Sequence, residues 1–384
     1  AQRFRSAVAA MRIGIVGGGQ LARMLALAGI PLGIRFSVYD PAPDACASTV
    51  ADLVNGDFDD LAALKAFAKQ CDLVTFDFEN VSAPALAELA SRCPVRPPPL
   101  ALSTSQDRLE EKALFAALGV PVAPHCAIPG DIPADFRFPA ILKTTRFGYD
   151  GKGQIGVSSR DALDAAHAAL RDVPCVLESK VAFERELSII AVRSLSGDVR
   201  CYPLTENVHA NGVLALSLAP ARVTAALQKQ AETIAVRVAD ALEYVGAFAI
   251  EFFDVGGQLV ANEMAPRVHN SGHWTIEGAV TSQFENHIRA IAGLPTGDCS
   301  ARGVSCMLNW VGALPDRATA LAIPGAHWHD YGKQPRSGRK VGHMTVVAEH
   351  PAQLFERVRE WLGMLGERGQ ALRESLDGFE AHWR

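Results

Sequence analysis

A short apolar run, residues 12–16, ends abruptly in Gly17-Gly18-Gly19, and a helical pattern then begins at Gln20 and continues to about Ala28. This order admits few folds. A buried strand that turns straight into a helix needs its next strand beside it and parallel to it, so the region predicts a parallel sheet with helices on its faces. Apolar runs at 36–39 and 73–78, with a helical pattern at 61–69 between them, extend the alternation. The spacing Gly17-x-Gly19-x-x-Ala22, with Asp40 further on, also fits a dinucleotide fingerprint. Its physics is less specific than its pattern, because backbone N–H groups at a strand-to-helix turn bind any phosphate. A nicotinamide cofactor and a phosphorylated substrate both remain open at this point.

A chain of 384 residues exceeds one ordinary core and predicts two or three domains. A helix is expected over 107–118, opened by acidic residues and closed by Gly119. A second α/β unit follows, with strands near 140–143, 155–157 and 175–179 and a helix over 161–170. Strands are expected at 186–192 and 201–204 and a long helix at 223–242. The runs 248–254 and 259–263 flank Gly256-Gly257, a hairpin signal. Short β-like runs at 304–310 and 344–347 precede a helix near 353–362.

The formal net charge of −5 gives no global attraction for nucleic acid or for an anionic membrane. No stretch reaches the ~20 apolar residues of a membrane span. The eight cysteines include no C-x-x-C pair, so they predict free thiols in a reducing compartment, and cytoplasm is the expected location. Residues 1–10 read as a disordered leader or an expression remnant.

Four groups of residues carry chemistry. Gly148-Tyr149-Asp150-Gly151-Lys152-Gly153-Gln154 lies five residues after Lys143, and three glycines in seven make a phosphate-approachable turn. The spacing is not that of a P-loop, and a glycine-rich hairpin with a solvated lysine is the alternative. Glu251 and Glu263 fall on the two arms of the hairpin. Counting outward from Gly257 sets them opposite, where side chains lie ~5 Å apart. Two carboxylates in an apolar sheet repel unless a cation joins them, and hard oxygen ligands suit Mg2+. Two glutamates on a wet sheet face are the alternative. The run from Glu263 to Trp274 concentrates Arg267, Asn270, Ser271 and His273 beside that pair, groups suited to an anion. Last, Lys333, Arg336, Arg339, Lys340 and His343 form either a solvated basic strand or a phosphate site.

Together these residues resemble the ATP-grasp superfamily and, within it, the 5-(carboxyamino)imidazole ribonucleotide synthase family. The strings that carry the likeness are Gly17 to Leu21, Phe78 to Val81, Gly148 to Gln154, Asn262-Glu263, Ala265 to Trp274 and Gly338 to His343. The resemblance implies an ATP-grasp fold of mixed α/β and α+β class. An N-terminal parallel α/β domain (11–108), an ATP-grasp domain (109–300, lid about 121–182) and a small C-terminal β-rich domain (301–384) are expected. It implies ATP-dependent carboxylation of 5-aminoimidazole ribonucleotide by bicarbonate through carboxyphosphate, in purine biosynthesis. The cofactors implied are ATP and Mg2+, with Mn2+ as a substitute, and the expected assembly is a homodimer.

ATP contacts carried over are Arg108, Lys143, Gly148 to Gln154, Glu178, Ser179, Lys180, Val181, Glu186, His209, Asn262 and Glu263. Glu251 and Glu263 match the metal ligands. Tyr149, Asp150, Lys152, Arg267 and His273 are the catalytic candidates, with Tyr149, Asp150 and His273 expected to position the amine or take its proton. Gly19, Gln20, Leu21, Glu79, Asn270, Ser271, Lys333, Arg339 and Lys340 are expected to hold the ribonucleotide. Phe147, Asp77 and Ser337 depart from the family's usual pattern, and Phe147 is expected to stiffen the glycine-rich loop.

Overall fold

The computed structural model describes residues 11–148, 152–210 and 212–383. Residues 1–10, Tyr149, Asp150 and Gly151 lie outside it, and so do the expectations placed on them.

The N-terminal unit is a four-stranded parallel sheet ordered Asp52–Asn55, Arg35–Asp40, Arg12–Val16, Leu73–Phe76. The Arg12–Val16 strand is central and nearly all buried, which is why it reads as a continuous apolar run. Asp52–Asn55 escapes the sequence reading because it is a short edge strand with polar ends. The Gln20–Gly29 helix packs on the Gln283–Ile291 helix of the next unit. A buried His287 ties the two units: its Nδ1 accepts from the Ala247 N–H at 3.0 Å, and its Nε2 meets the Thr75 hydroxyl at 3.1 Å.

The second sheet is antiparallel, in the order His125–Ile128, Cys175–Ser179, Ala140–Thr144, Gln154–Val157. The largest sheet has nine strands, all paired antiparallel. That sheet runs Gln258–Ala265, Gly246–Val255, Arg185–Arg193, Thr205–Ala210, Val213–Ala219, Val304–Val311, Lys340–Ala348, Ala326–Asp330, with Val199–Cys201 also on Arg185–Arg193. Of the strand expected at 201–204, Cys201 ends the strand Val199–Cys201 and Tyr202-Pro203-Leu204 is a break before the next, since proline has no N–H for a ladder. The C-terminal strands continue the central sheet through the pairing of Leu216 with Leu308. They are covered by the helices Pro351–Met364 and Glu367–Trp383.

Candidate active site

One cleft of about 700 Å3 is bounded by the ends of the parallel strands, the smaller antiparallel sheet and one face of the large sheet. Its acidic side comes from the hairpin. Gly256 and Gly257 both have left-handed backbones (φ 60° and 80°), so they form a two-residue turn of the kind that only glycine and few other residues allow. A regular ladder from that turn would set Glu251 against Asn262 and send Glu263 to the other face. A bulge between Glu251 and Phe252 shifts the register by one, and Glu251 pairs with Glu263. Both carboxylates and Asn262 therefore line the cleft.

The electrostatics of this pair are lopsided. Burial and then the neighbouring Glu263 push Glu251 up to about 7. Burial also acts on Glu263, but Arg108 and Lys143 outweigh it and hold this carboxyl below its usual range. Arg108 Nη1 stands 3.2 Å from Glu263 Oε2, and His269 Nε2 lies 3.4 Å from Glu251 Oε1. Among the described residues no group of three or more His, Cys, Asp or Glu could enclose a metal. Two hard carboxylates with an open remainder fit a magnesium ion that takes its other ligands from phosphate and water.

The smaller antiparallel sheet and the helix Arg108–Ala117 each supply a cation. The Lys143 ammonium donates to Glu178 Oε2 at 2.9 Å, and buried Lys112 lies 3.2 Å from Glu178 Oε1. Burial alone would raise the Glu178 carboxyl; Lys143 and Lys112 reverse the sign and lower it. Glu178, Ser179, Lys180 and Val181, with Gly148, Lys152, Gln154, Glu186 and His209, line the same cleft. His209 Nδ1 and Glu186 Oε2 are in close contact, and that bond, set against burial, raises the histidine. Gly153 does not reach the cleft wall; its backbone (φ 70°) turns against Thr144. Phe147 also takes a left-handed backbone (φ 62°) while 69% exposed, a conformation that suits glycine better than a bulky side chain.

Across the cleft stand Gly19, Gln20, Leu21, Glu79, Arg267, Asn270, His273, Lys333, Arg336, Arg339 and Lys340. Lys333 contacts Gln20 Oε1, and Arg267 Nη2 lies 2.9 Å from Glu79 Oε1, so each pair spans two units of the fold. Two expectations fail here. Ser271 is fully buried, with its hydroxyl bonded to Ser188 and His269, away from the wall. His343 is buried too, stacked on His329 at 4.2 Å and bonded to the Tyr331 hydroxyl, so it belongs to the core and not to the basic cluster.

The glycine turn is already occupied. Asp40 Oδ2 accepts from the Gly18 N–H at 2.7 Å, and Asp77 Oδ2 accepts from the Ala22 N–H at 3.1 Å. A Cβ on Gly17 would sit 1.8 Å from Asp77 Oδ1, so this glycine makes room for a carboxylate of the protein itself. Asp40, the residue a dinucleotide would need for its ribose, is spent on its own loop. That arrangement removes the nicotinamide reading and also takes one helix N–H from the expected phosphate site.

Comparison with known proteins agrees with this geometry. The ribonucleotide synthetase preATP-grasp domain family matches residues 10–106, the ATP-grasp domain family 113–284, and the phosphoribosylaminoimidazole carboxylase C-terminal domain family 305–357. The N5-carboxyaminoimidazole ribonucleotide synthase of Pseudomonas aeruginosa is 47% identical over 91% of this chain and 98% of its own length. The Bacillus subtilis protein of that name is 37% identical over 94% and 97%. The crystal structure of the Thermus thermophilus synthetase matches with TM-score 0.86 at 51% identity, covering 90% of this chain and 96% of that one. An Aspergillus clavatus synthase structure in complex with ADP and 5-aminoimidazole ribonucleotide matches with TM-score 0.85 at 32% identity, covering 96% and 98%.

Proposed function

We propose a division of labour within the cleft for this chain, which belongs to the N5-carboxyaminoimidazole ribonucleotide synthase family of ATP-grasp ligases. It carboxylates 5-aminoimidazole ribonucleotide at the expense of ATP in purine biosynthesis. The observation that carries the division is the Glu251–Glu263 pair facing Arg108 and Lys143 across one cleft.

ATP lies between the lid and the large sheet, with Glu178 to Val181 along the base, Glu186 at the ribose, and Lys143, Arg108 and the 148–154 loop at the phosphates. Glu251 and Glu263 hold a magnesium ion, which when bound neutralises charge on the terminal phosphates. Bicarbonate is a poor electrophile, so it is first phosphorylated to carboxyphosphate. Arg267 turns from Glu79 to position bicarbonate. Carboxyphosphate is short-lived in water, so the lid must exclude solvent before the amine attacks. Gln20, Leu21, Glu79 and Asn270 orient the ribonucleotide, and Lys333, Arg339 and Lys340 hold its phosphate. Tyr149, Asp150 and Lys152 of the loop complete the reacting end.

We further propose that the chain works as a cytoplasmic homodimer; among the described residues no helix is long and apolar enough to cross a membrane. The test is ATP hydrolysis measured with 5-aminoimidazole ribonucleotide and bicarbonate together and singly. Phosphate release should require both for full rate. Turnover indifferent to bicarbonate would remove the carboxyphosphate route.

A further inference from the structure

Gln283 opens the helix Gln283–Ile291 and is fully buried. The orientation of its side-chain amide is set by one neighbour. Oε1 accepts from the backbone N–H of His269 at 2.9 Å, and Nε2 donates to the carbonyl of the same residue at 2.6 Å. Reversing the amide would set donor against donor and acceptor against acceptor.

The amide also lies against Gly272, where a Cβ would come within 2.8 Å of Cδ, Nε2 and Oε1 at once. Gly272 is not among the positive-φ glycines, so space and not backbone conformation is what demands a glycine there. The backbone N–H of Gln283 donates to Thr275 Oγ1 at 3.0 Å, which fixes the start of the helix on the same segment.

Gln283 Nε2 has a second hydrogen, and it faces His273 Nδ1 at 3.4 Å. An amide nitrogen only donates, so Nδ1 must accept, and the neutral ring then carries its proton on Nε2. Burial, with His269, His329, Lys340 and Arg267 around it, pushes His273 well below the usual histidine range. Its ring packs between Phe284 and His343, with centroids at 5.4 Å and 4.9 Å, and it borders the cleft.

We propose that Gln283 is a positioning residue that locks His273 in the Nε2–H tautomer, so that His273 meets the substrate as a hydrogen-bond donor to an anionic oxygen and not as a proton acceptor. This rests on the reading that His273 faces the carboxylation site, and of the two roles expected from sequence, positioning the amine or taking its proton, it removes the second. A donor fixed before the reaction suits the oxygen on which negative charge grows as carboxyphosphate is attacked.

The tautomer is read directly from long-range ring 1H–15N spectra of the full chain labelled with 15N-histidine, with His273→Asn used to assign the signals. The expected result is a neutral Nε2–H ring between about pH 6 and 8. An Nδ1–H ring or an imidazolium in that range overturns the proposal, whatever His273 does in the reaction. Gln283→Glu offers Nδ1 only an acceptor, so the proton should move to Nδ1 and kcat should fall about 100-fold while KM for ATP holds. Gly272→Ala, which pushes the amide aside without removing it, should weaken the lock in the same direction. An unchanged tautomer in both variants refutes the lock. If His273→Asn, which still offers an N–H, loses no more than about tenfold while His273→Asp loses about 100-fold, the donor role stands. Equal losses in the two refute the donor role and leave the measured tautomer untouched.

Discussion

Replacing Glu251 by Gln should stabilise the free protein and abolish most of its activity. The size of the first effect follows from the carboxyl's shift. Its ordinary value of 4.5 is pushed up to about 7, first by burial and second by Glu263, and the side chain is 16% accessible, so solvent screens it little. A shift of that size corresponds to roughly 3 kcal/mol of unfavourable free energy for the ionised form. The sign is that of a raised carboxyl: the penalty is absent below pH 4.5, grows as pH rises, and is complete above about 7. Glutamine keeps the shape and an acceptor toward His269 but carries no charge. For a chain of 384 residues that unfolds cooperatively, the unfolding entropy is about 0.8 kcal/mol/K, so Tm should rise by roughly 4 °C at alkaline pH. Loss of a metal ligand worth ~3 kcal/mol in the transition state should lower kcat about 100-fold. The assay is differential scanning calorimetry of both proteins without nucleotide, from acid to alkaline pH, with steady-state phosphate release alongside. A Tm difference that stays flat with pH, or a variant less stable than the parent above neutrality, would refute the reasoning.

Three further outcomes are expected. Glu178→Ala leaves Lys112, 1% exposed, without its counter-charge and should cost about 3–5 kcal/mol in urea unfolding, well beyond a surface substitution. Affinity for magnesium–ADP, measured by titration calorimetry, should fall by up to about tenfold per unit as pH drops below 7, because Glu251 must be ionised to bind the cation. Lys333→Ala and Arg339→Ala should each raise KM for 5-aminoimidazole ribonucleotide about tenfold and leave KM for ATP unchanged.

Much of this site is legible in the chain because its parts are local. Gly148 to Gln154, the hairpin arms and the run after Glu263 are contiguous strings whose residue types announce phosphate, cation and anion. Counting outward from Gly257 sets Glu251 opposite Glu263, yet the true turn is Gly256-Gly257 and only the bulge restores that opposition. No sequence signal marks that bulge, since it depends on how the strand meets its neighbours. Contacts between distant segments are hidden for the same reason. Nothing in the local pattern says that Asp40 and Asp77 cap their own glycine turn, or that Arg267 rests on Glu79. Ser271 and His343 look like site residues by type, and burial assigns them to the core. The continuation of the central sheet into the C-terminal strands is likewise a fact of pairing between segments that are 92 residues apart at Leu216 and Leu308 (308 less 216).

The most direct measurement is a crystal structure with ADP and Mn2+, located by its anomalous scattering. The account places the ion between the Glu251 and Glu263 carboxylates, at roughly 2.0–2.3 Å from each, with a phosphate oxygen among its other ligands. An ion bound elsewhere in the cleft, or one held by phosphates with neither glutamate in contact, would contradict it.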